Sequence, residues 1–373
     1  MRRVAGSLCL VVSACNFEHG ELGGAGLPMD SGGDVDAPDA PWRPGFLYRK
    51  PIAITPPSLT AALTSFPVAI LTTADAQLGD NARTDGRDIT FTAADGTTLL
   101  DHELVTFDGA SGALEAWVRI PTLPNGTTTI FMYYGAGMQP LTAIATWPSQ
   151  FKGIWHLDAG IGAADSTPNG HGAFSSAPLT TPTVVDGIAG HARAFDGIDD
   201  SMTVTNPADG SLDFGTTSFS FSLWVNVAVS KGAFDAPIYK GGASVGDPGY
   251  CVLLGTADWN MKTHDGTSYR DPAVGAEALG AWVYLAGVMD RDAQQMLAYR
   301  DGVFTDMMST TGFGSITNNK ALVFGPTGTL NFQGTLDEVR ISAGALSPEW
   351  IATEYANLET PGFVALGSQQ MKP

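Results

Sequence analysis

In LEAWVRI (114–120), Leu114, Ala116, Val118 and Ile120 fall on one side of an extended chain, and Glu115, Trp117 and Arg119 on the other. A period of two residues marks a strand with one face in a core. Segments of this kind recur. RKPIAITP, FPVAILTT, DITFTAADG, LDHELVTFDG and TTTIFMYYGAG follow Trp42, each a β-branched or aromatic run bounded by Gly, Pro, Asn or Asp. A second series, from GIWHLD through FSFSLWVNV, YCVLLG, WVYLAGVMD and MLAYRDG to DEVRIS, fills residues 147–368. Helical signals wait until past residue 340: Ser347 suits an N-cap, Pro348 the first helical position and Glu349 the first turn, ahead of Trp350, Ile351 and Tyr355. The pattern predicts an all-β chain of two antiparallel β-sandwich domains, at 44–140 and 147–368, with a short helix packed on the second. In YRDGV (299–303), Asp301 and Gly302 supply the positive-φ pair of a tight hairpin.

Alternation in FSFSLWVNV puts Phe219, Phe221 and Leu223 on the inner face, or else their out-of-phase neighbours with Trp224. The stretch NFQGTLDEVRIS (331–342) is stranger. From Asp337 onward, Asp337, Val339 and Ile341 share one face, and Leu336, Glu338 and Arg340 the other. A carboxylate in phase with Val and Ile is costly unless a cation, backbone N–H groups or a basic side chain pairs with it.

A formal charge of −19 over 373 residues argues against nucleic acid and anionic lipid as partners, since both need a basic face. It is compatible with divalent cations and neutral polymers such as glycans. Cysteine is scarce: Cys9 and Cys15 near the start, and Cys251 inside an apolar run, where a small buried thiol is expected. The opening MRRVAGSLCLVVSAC resembles a bacterial lipoprotein signal spanning 1–15. The resemblance implies acylation of Cys15, a lipid anchor in the membrane, and a location outside the cytoplasm. Residues 16–43 read as a disordered acidic linker of Gly, Pro, Asp and Ala with few apolar anchors.

Two further resemblances follow from motifs. Asp85-Gly86-Arg87-Asp88-Ile89 and the closing Tyr133-Tyr134-Gly135 resemble the domain of unknown function numbered 2341, common in bacterial surface proteins; the resemblance implies no activity. Read on its own, Asp85-Gly86 is turn chemistry. The ordered series WHLDAGIGAADSTPNGHGA (155–173), AFDGIDDSMTV (194–204), SFSLWVNV (220–227), WVYLAGVMDRDAQQMLAYRDGV (282–303) and FQGTLDEVRISAGALSPEWI (332–351) resembles the laminin-G-like, concanavalin-A-like jelly roll. That group often holds one structural calcium against a late strand. The resemblance implies Asp337 as a ligand, with Asp158 and Asp165 from the loop after the first strand; Ca²⁺ wants six to eight oxygens. The competing reading is that Asp337 accepts backbone N–H bonds or pairs with Arg340 or Arg193. In FDGIDD, Asp196-Gly197 reads as a turn, and Asp199 and Asp200 are secondary metal candidates.

For a sugar, the candidate face is Trp259, Asn260, His264, Asp265 and Tyr269, where an aromatic ring stands among amide and carboxylate groups; simple sheet packing is the alternative. Catalysis finds no pattern. Glu103, Glu115, Glu277, Glu338, Glu349 and Glu354 are scattered, without the in-phase pair a retaining glycosidase would carry on one strand, although carboxylates on separate strands can still converge. There is no Gly-x-Ser-x-Gly elbow, and His156, His171, His191 and His264 have no i, i+4 partner. The expectation is a cell-envelope-anchored, non-enzymatic protein whose distal half binds a glycan or a cell-surface protein. A structural spacer or adhesin arm is the alternative, and a glycoside hydrolase the weaker third.

Overall fold

The computed structural model describes residues 40–137, 146–158, 162–230, 234–255 and 258–373. Cys15, the expected signal and most of the expected linker lie outside the described residues. Among the described residues no helix is long and apolar enough to cross a membrane.

Strands dominate and pair antiparallel. Among the described residues, the first sandwich sets a five-stranded sheet, ordered Val364–Leu366, Tyr48–Ile54, Thr128–Tyr134, Thr90–Thr92 with Gln370–Met371 also on Tyr48–Ile54, against a three-stranded sheet of Leu63–Thr72, Ala113–Leu123 and His102–Asp108. The chain's late residues thus return to the early sheet: Ile52 stands opposite Leu366, and Tyr48 opposite Met371. The two family-like motifs of this sandwich are one unit. Asp88 is fully buried and accepts N–H bonds from Arg83 (2.9 Å) and from Gly135 (2.8 Å) and Ala136 (3.2 Å) just past the tyrosine pair. Gly86 sits at φ +66°, as the tight turn requires.

In the second sandwich, among the described residues, an eight-stranded sheet runs Thr183–Asp186, His191–Asp196, Gln333–Ala343, Phe219–Val227, Trp282–Asp290, Gln295–Arg300, Val303–Ser309, with Phe151–Trp155 also pairing Gln333–Ala343. It faces a nine-stranded sheet that includes Asp258–His264, Gly249–Leu254, Ile238–Lys240, Leu322–Phe324 and Met202–Val204. Phe219, Phe221, Leu223 and Val225 fill the space between the sheets with Trp155, Tyr250, Val252, Trp259, Met261 and Phe324. Trp224 points the other way, into a cluster with Tyr284, Ile351 and Tyr355. The hairpin at Asp301 (φ 51°) and Gly302 (φ 75°) forms as the sequence indicates, with Arg300 opposite Val303.

The helix Pro348–Glu359 starts as expected, Ser347 Oγ accepting the N–H of Trp350 (3.1 Å). Its position is more consequential than its length suggested. It covers the outer face of the eight-stranded sheet with Ile351, and it touches the first sandwich with Trp350, whose ring lies 4.9 Å from that of Phe66. Asn357 Oδ1 accepts the N–H of Ala69 (3.2 Å). Trp147, Phe151, Ile154, Ala189 and Trp350 share one core cluster with the strands of the first sandwich. The two sandwiches therefore share a packed apolar face.

Candidate functional site

The strand Gln333–Ala343 answers its own puzzle with a bulge. Its register against Phe219–Val227 shifts between Ser222 and Trp224, and Glu338 takes φ +48°. Phase is lost there, so Leu336, Val339 and Ile341 all reach the core, which corrects the sequence reading that paired Asp337 with Val339. Asp337 turns instead to the hairpin between Asp186 and His191. One carboxylate oxygen accepts N–H bonds from Ile188 (2.8 Å) and Ala189 (3.1 Å), and the other accepts the N–H of Glu338. Burial and the neighbouring Glu338 charge push its pKa well up, against the pull of those donors.

The expected calcium set does not assemble. Asp165 accepts the N–H groups of Ile154 (3.1 Å), Thr167 (2.9 Å) and His171 (2.8 Å), so it organises its own loop. The Asp158 carbonyl accepts from Arg193 (2.8 Å). Among the described residues, Asp337, Asp158 and Asp165 are not a group whose ligating atoms lie within 4.8 Å of one another. Asp196, Asp199 and Asp200 do lie that close, yet Asp196 Oδ1 accepts the N–H of Ile198 (2.8 Å), as a turn requires, and nothing further points to an ion there.

The sugar-binding set is also redistributed. Trp259 is 2% exposed and belongs to the inner core, so it offers no ring face to a sugar; strand phase sends it inward with Met261. His264 is buried, its Nδ1 accepting the N–H of Gly266 (2.8 Å). Tyr269 is exposed, with Lys262 Nζ 4.7 Å from its ring centre. Asp265 is occupied in holding a turn: it accepts the N–H groups of Thr267 (2.8 Å), Ser268 (2.7 Å) and Gly314 (2.9 Å). Burial opposes its charge, but these donors hold its pKa well below the ordinary value. A depressed folded-state pKa contributes stability above the unfolded pKa, and that stability is lost as pH falls through the folded value. Asp265→Ala is accordingly expected to lower urea stability by about 2 kcal/mol at pH 7. The gap from the parent should narrow steadily below about pH 4; a gap independent of pH would contradict this account.

Asn260 faces outward, onto a face that is shaped. A hollow of about 170 Å³ is lined by Phe234, Leu253, Leu254, Gly255, Asn260, Lys262 and Asp271. A second, of about 470 Å³, is lined by Phe234, Tyr239, Ala243, Ser244, Asp247, Thr329 and Leu330. They meet at Phe234, which is 55% exposed. Their charges are paired: Lys320 with Asp247, and Lys262 with Asp271 at 4.0 Å. Tyr239 Oη donates to Asp247 (2.9 Å) and accepts from Lys320 (2.9 Å). Cys251 is buried with Ala236 and Leu253, its thiol pushed up to about 12 by burial.

The residues that spacing called scattered converge where the sandwiches join. Arg340 donates to Glu338 (2.7 Å) and Glu354 (3.1 Å), and lies over the rings of Trp117 (4.7 Å) and Trp147 (5.1 Å). Glu354 also accepts from Tyr284 Oη (2.5 Å) and Trp350 Nε1 (3.0 Å). His156 Nδ1 lies 2.6 Å from Glu338 Oε1, and its Nε2 lies 3.5 Å from Glu103 Oε2. Burial disfavours the charged imidazole, but Glu338 and Glu103 together push its pKa well above the usual value. Ligating atoms of Glu115, His156 and Glu338 come within 4.8 Å of one another, although Glu338 is already bonded to His156 and Arg340.

Glu115 differs from the rest. It is 1% exposed, and neither carboxyl oxygen has a hydrogen-bond partner. The Trp117 indole N–H, which bears on its charge, is likewise without a bond of ordinary geometry. Burial pushes the carboxyl up to about 8. Glu115 lines a cleft of about 450 Å³ walled by residues of both sandwiches, among them Thr72, Thr73 and Thr106 from one side and Asp186, Gly190 and His191 from the other. Gly190 sits at φ +62°, which favours glycine, and a Cβ there would press on the Glu115 carboxyl. Sequence reasoning missed this cluster; its one signal was the phase of LEAWVRI, which puts Glu115 and Trp117 on the same face of a strand.

Residues 196–352 match the concanavalin A-like lectin/glucanases superfamily (Laminin_G_3), and residues 85–143 match the domain of unknown function DUF2341. The second region is thus a lectin/glucanase-like jelly roll. No curated protein matches the chain. Among solved structures, the binding domain of Paraclostridial Mosquitocidal Protein 1 is similar at 15% identity and TM-score 0.47, over 55% of this chain and 52% of that one. The botulinum neurotoxin DC binding domain, solved with SialylT, gives 15% and 0.43, over 57% and 52%. Domain 4 of AbnA, a GH43 arabinanase from Geobacillus stearothermophilus solved with arabinotriose, gives 20% and 0.39, over 56% and 98%. The chain spans about half the length of the two toxin domains.

Proposed function

We propose that this is a binding protein of the cell envelope, tethered outside the cytoplasm through Cys15, whose jelly roll captures a neutral glycan without turning it over. The site is the outer face of the nine-stranded sheet. What carries the reading is that two hollows, of about 170 and 470 Å³, meet there at a half-exposed aromatic ring, Phe234. A sugar ring presents an apolar face for such a ring and hydroxyls for the polar groups around it. Because Lys320 is paired with Asp247 and Lys262 with Asp271, the rim offers donors and acceptors with little net charge, which suits hydroxyls better than a carboxylate or sulfate. The opposite sheet's outer face is occupied by the helix and the first sandwich.

The test is a glycan array read with the full chain, followed by calorimetric titration of the best neutral oligosaccharide. Phe234→Ala is expected to weaken binding about tenfold, the loss of roughly 1.4 kcal/mol of ring contact, with the melting temperature unchanged. Absence of binding to any neutral glycan, with capture of a surface protein instead, would replace this reading by the protein-ligand one. Unchanged affinity in the variant would move the site elsewhere.

A further inference from the structure

The cleft between the sandwiches lies apart from the sheet face just described and holds a feature that face lacks: a buried carboxyl that the fold engages only through the neighbouring Trp117 indole and His156 imidazole, without a hydrogen bond of ordinary geometry. A carboxyl group 1% exposed with both oxygens unbonded is a standing cost. His191, on the opposite wall, is in a similar position, its Nδ1 buried and without a partner. The remaining polar lining is rich in acceptors: Asp186 and the hydroxyls of Thr72, Thr73 and Thr106. Among the lining residues the acids are Glu115 and Asp186, and His191 is the only group able to carry a positive charge. A ligand complementary to this surface brings donors and no acceptor at its recognised end, and it carries positive charge.

We propose that the cleft between the two sandwiches is a second ligand site, which takes the primary ammonium group of an amino sugar with Glu115 as its buried counter-ion. A primary ammonium has three N–H donors and no acceptor, which matches the two Glu115 oxygens and one further acceptor on the wall. A volume of about 450 Å³ accommodates a single sugar ring with room for its hydroxyls against the threonines, whereas an isolated flexible amine would leave most of the cleft unfilled. Asp186, and Glu115 once ionised, disfavour anionic ligands. Burial holds the Glu115 carboxyl largely neutral at pH 7 even with His156 close by, and an ammonium group seated in the cleft would draw it into its charged form and complete its bonding. Since Glu115 belongs to the first sandwich and Asp186 and His191 to the second, the ligand would bridge them.

The experiment titrates the full chain at pH 7 with glucosamine, glucose, N-acetylglucosamine and Nα-acetyl-lysine amide, by calorimetry, beside Glu115→Gln. Glutamine keeps the shape of the side chain but cannot ionise, so the variant is expected to fold and melt no lower than the parent. Glucosamine should bind at least tenfold more tightly than glucose or N-acetylglucosamine, and the variant should lose that preference. Phe234→Ala should leave it intact, which separates this site from the glycan face. Equal binding of glucose and glucosamine, no binding of either amine, or a preference that survives in Glu115→Gln would overturn the proposal. Binding of the lysine probe as tightly as glucosamine would overturn the assignment to a sugar.

Discussion

Replacing Arg340 by alanine is expected to destabilise the whole fold by about 3–5 kcal/mol and to abolish the cooperative single melt. The guanidinium is buried and bonded to Glu338 and Glu354, themselves almost wholly buried. Removing it strands two carboxylates in a dry space, with His156, Tyr284, Trp350 and the more distant Ser222 left to serve them. Its face also covers Trp117 and Trp147, so packing is lost along with charge. Arg340→Lys should recover only part of the loss, because an ammonium cannot reach both carboxylates with a planar fork. Urea denaturation of the three proteins at pH 7 measures this. An alanine variant within 1 kcal/mol of the parent would mean that the network is solvated and contributes little.

The second large effect concerns the first sandwich in isolation. A fragment of residues 40–140 is expected not to fold, although its sequence reads as a self-sufficient domain. In the intact chain its sheet is completed by Val364–Leu366 and Gln370–Met371, and its core holds Trp147, Phe151, Ile154, Trp350 and Phe363, all outside the fragment. Loss of four or five buried large side chains at about 2–3 kcal/mol each is as large as the total stability of an ordinary domain. The fragment should lack the near-ultraviolet circular dichroism of packed tryptophan and should aggregate, while the full chain melts in one transition. A fragment with a sharp melt of its own would show that these contacts are dispensable.

The reasons some features were legible in the sequence and others were not can be traced to particular residues. Alternation in FSFSLWVNV, the Asp-Gly hairpin at 301–302 and the Ser347 cap are local signals, and the structure keeps them because nothing distant overrides them. The same logic failed at Asp337, where one extra residue in a bulge shifts the phase of the rest of the strand. It failed for Trp259, because an aromatic among polar neighbours reads alike whether it points in or out; strand phase decides, and the phase was set by Met261. Glu103, Glu115, His156, Glu338 and Glu354 come from separate elements, so no spacing could join them. What the sequence did carry was a strand, LEAWVRI, with Trp117 on its supposedly outer face, and a tryptophan on that face is a sign that another layer lies against it.

Tyr48 and Met371 are cross-strand neighbours, and Arg49 and Gln370 form the next rung. Chain entering before the first of these and chain leaving after the last emerge from one corner of one sheet. A short bridge across that corner should therefore permit the fold to be re-cut at a surface hairpin elsewhere without loss of structure. The geometry has a mechanical side as well. Tension applied at those two points would open the rungs singly, as a zipper does, so the assembly would give way at low force from that corner while the distant jelly-roll sheets stayed closed.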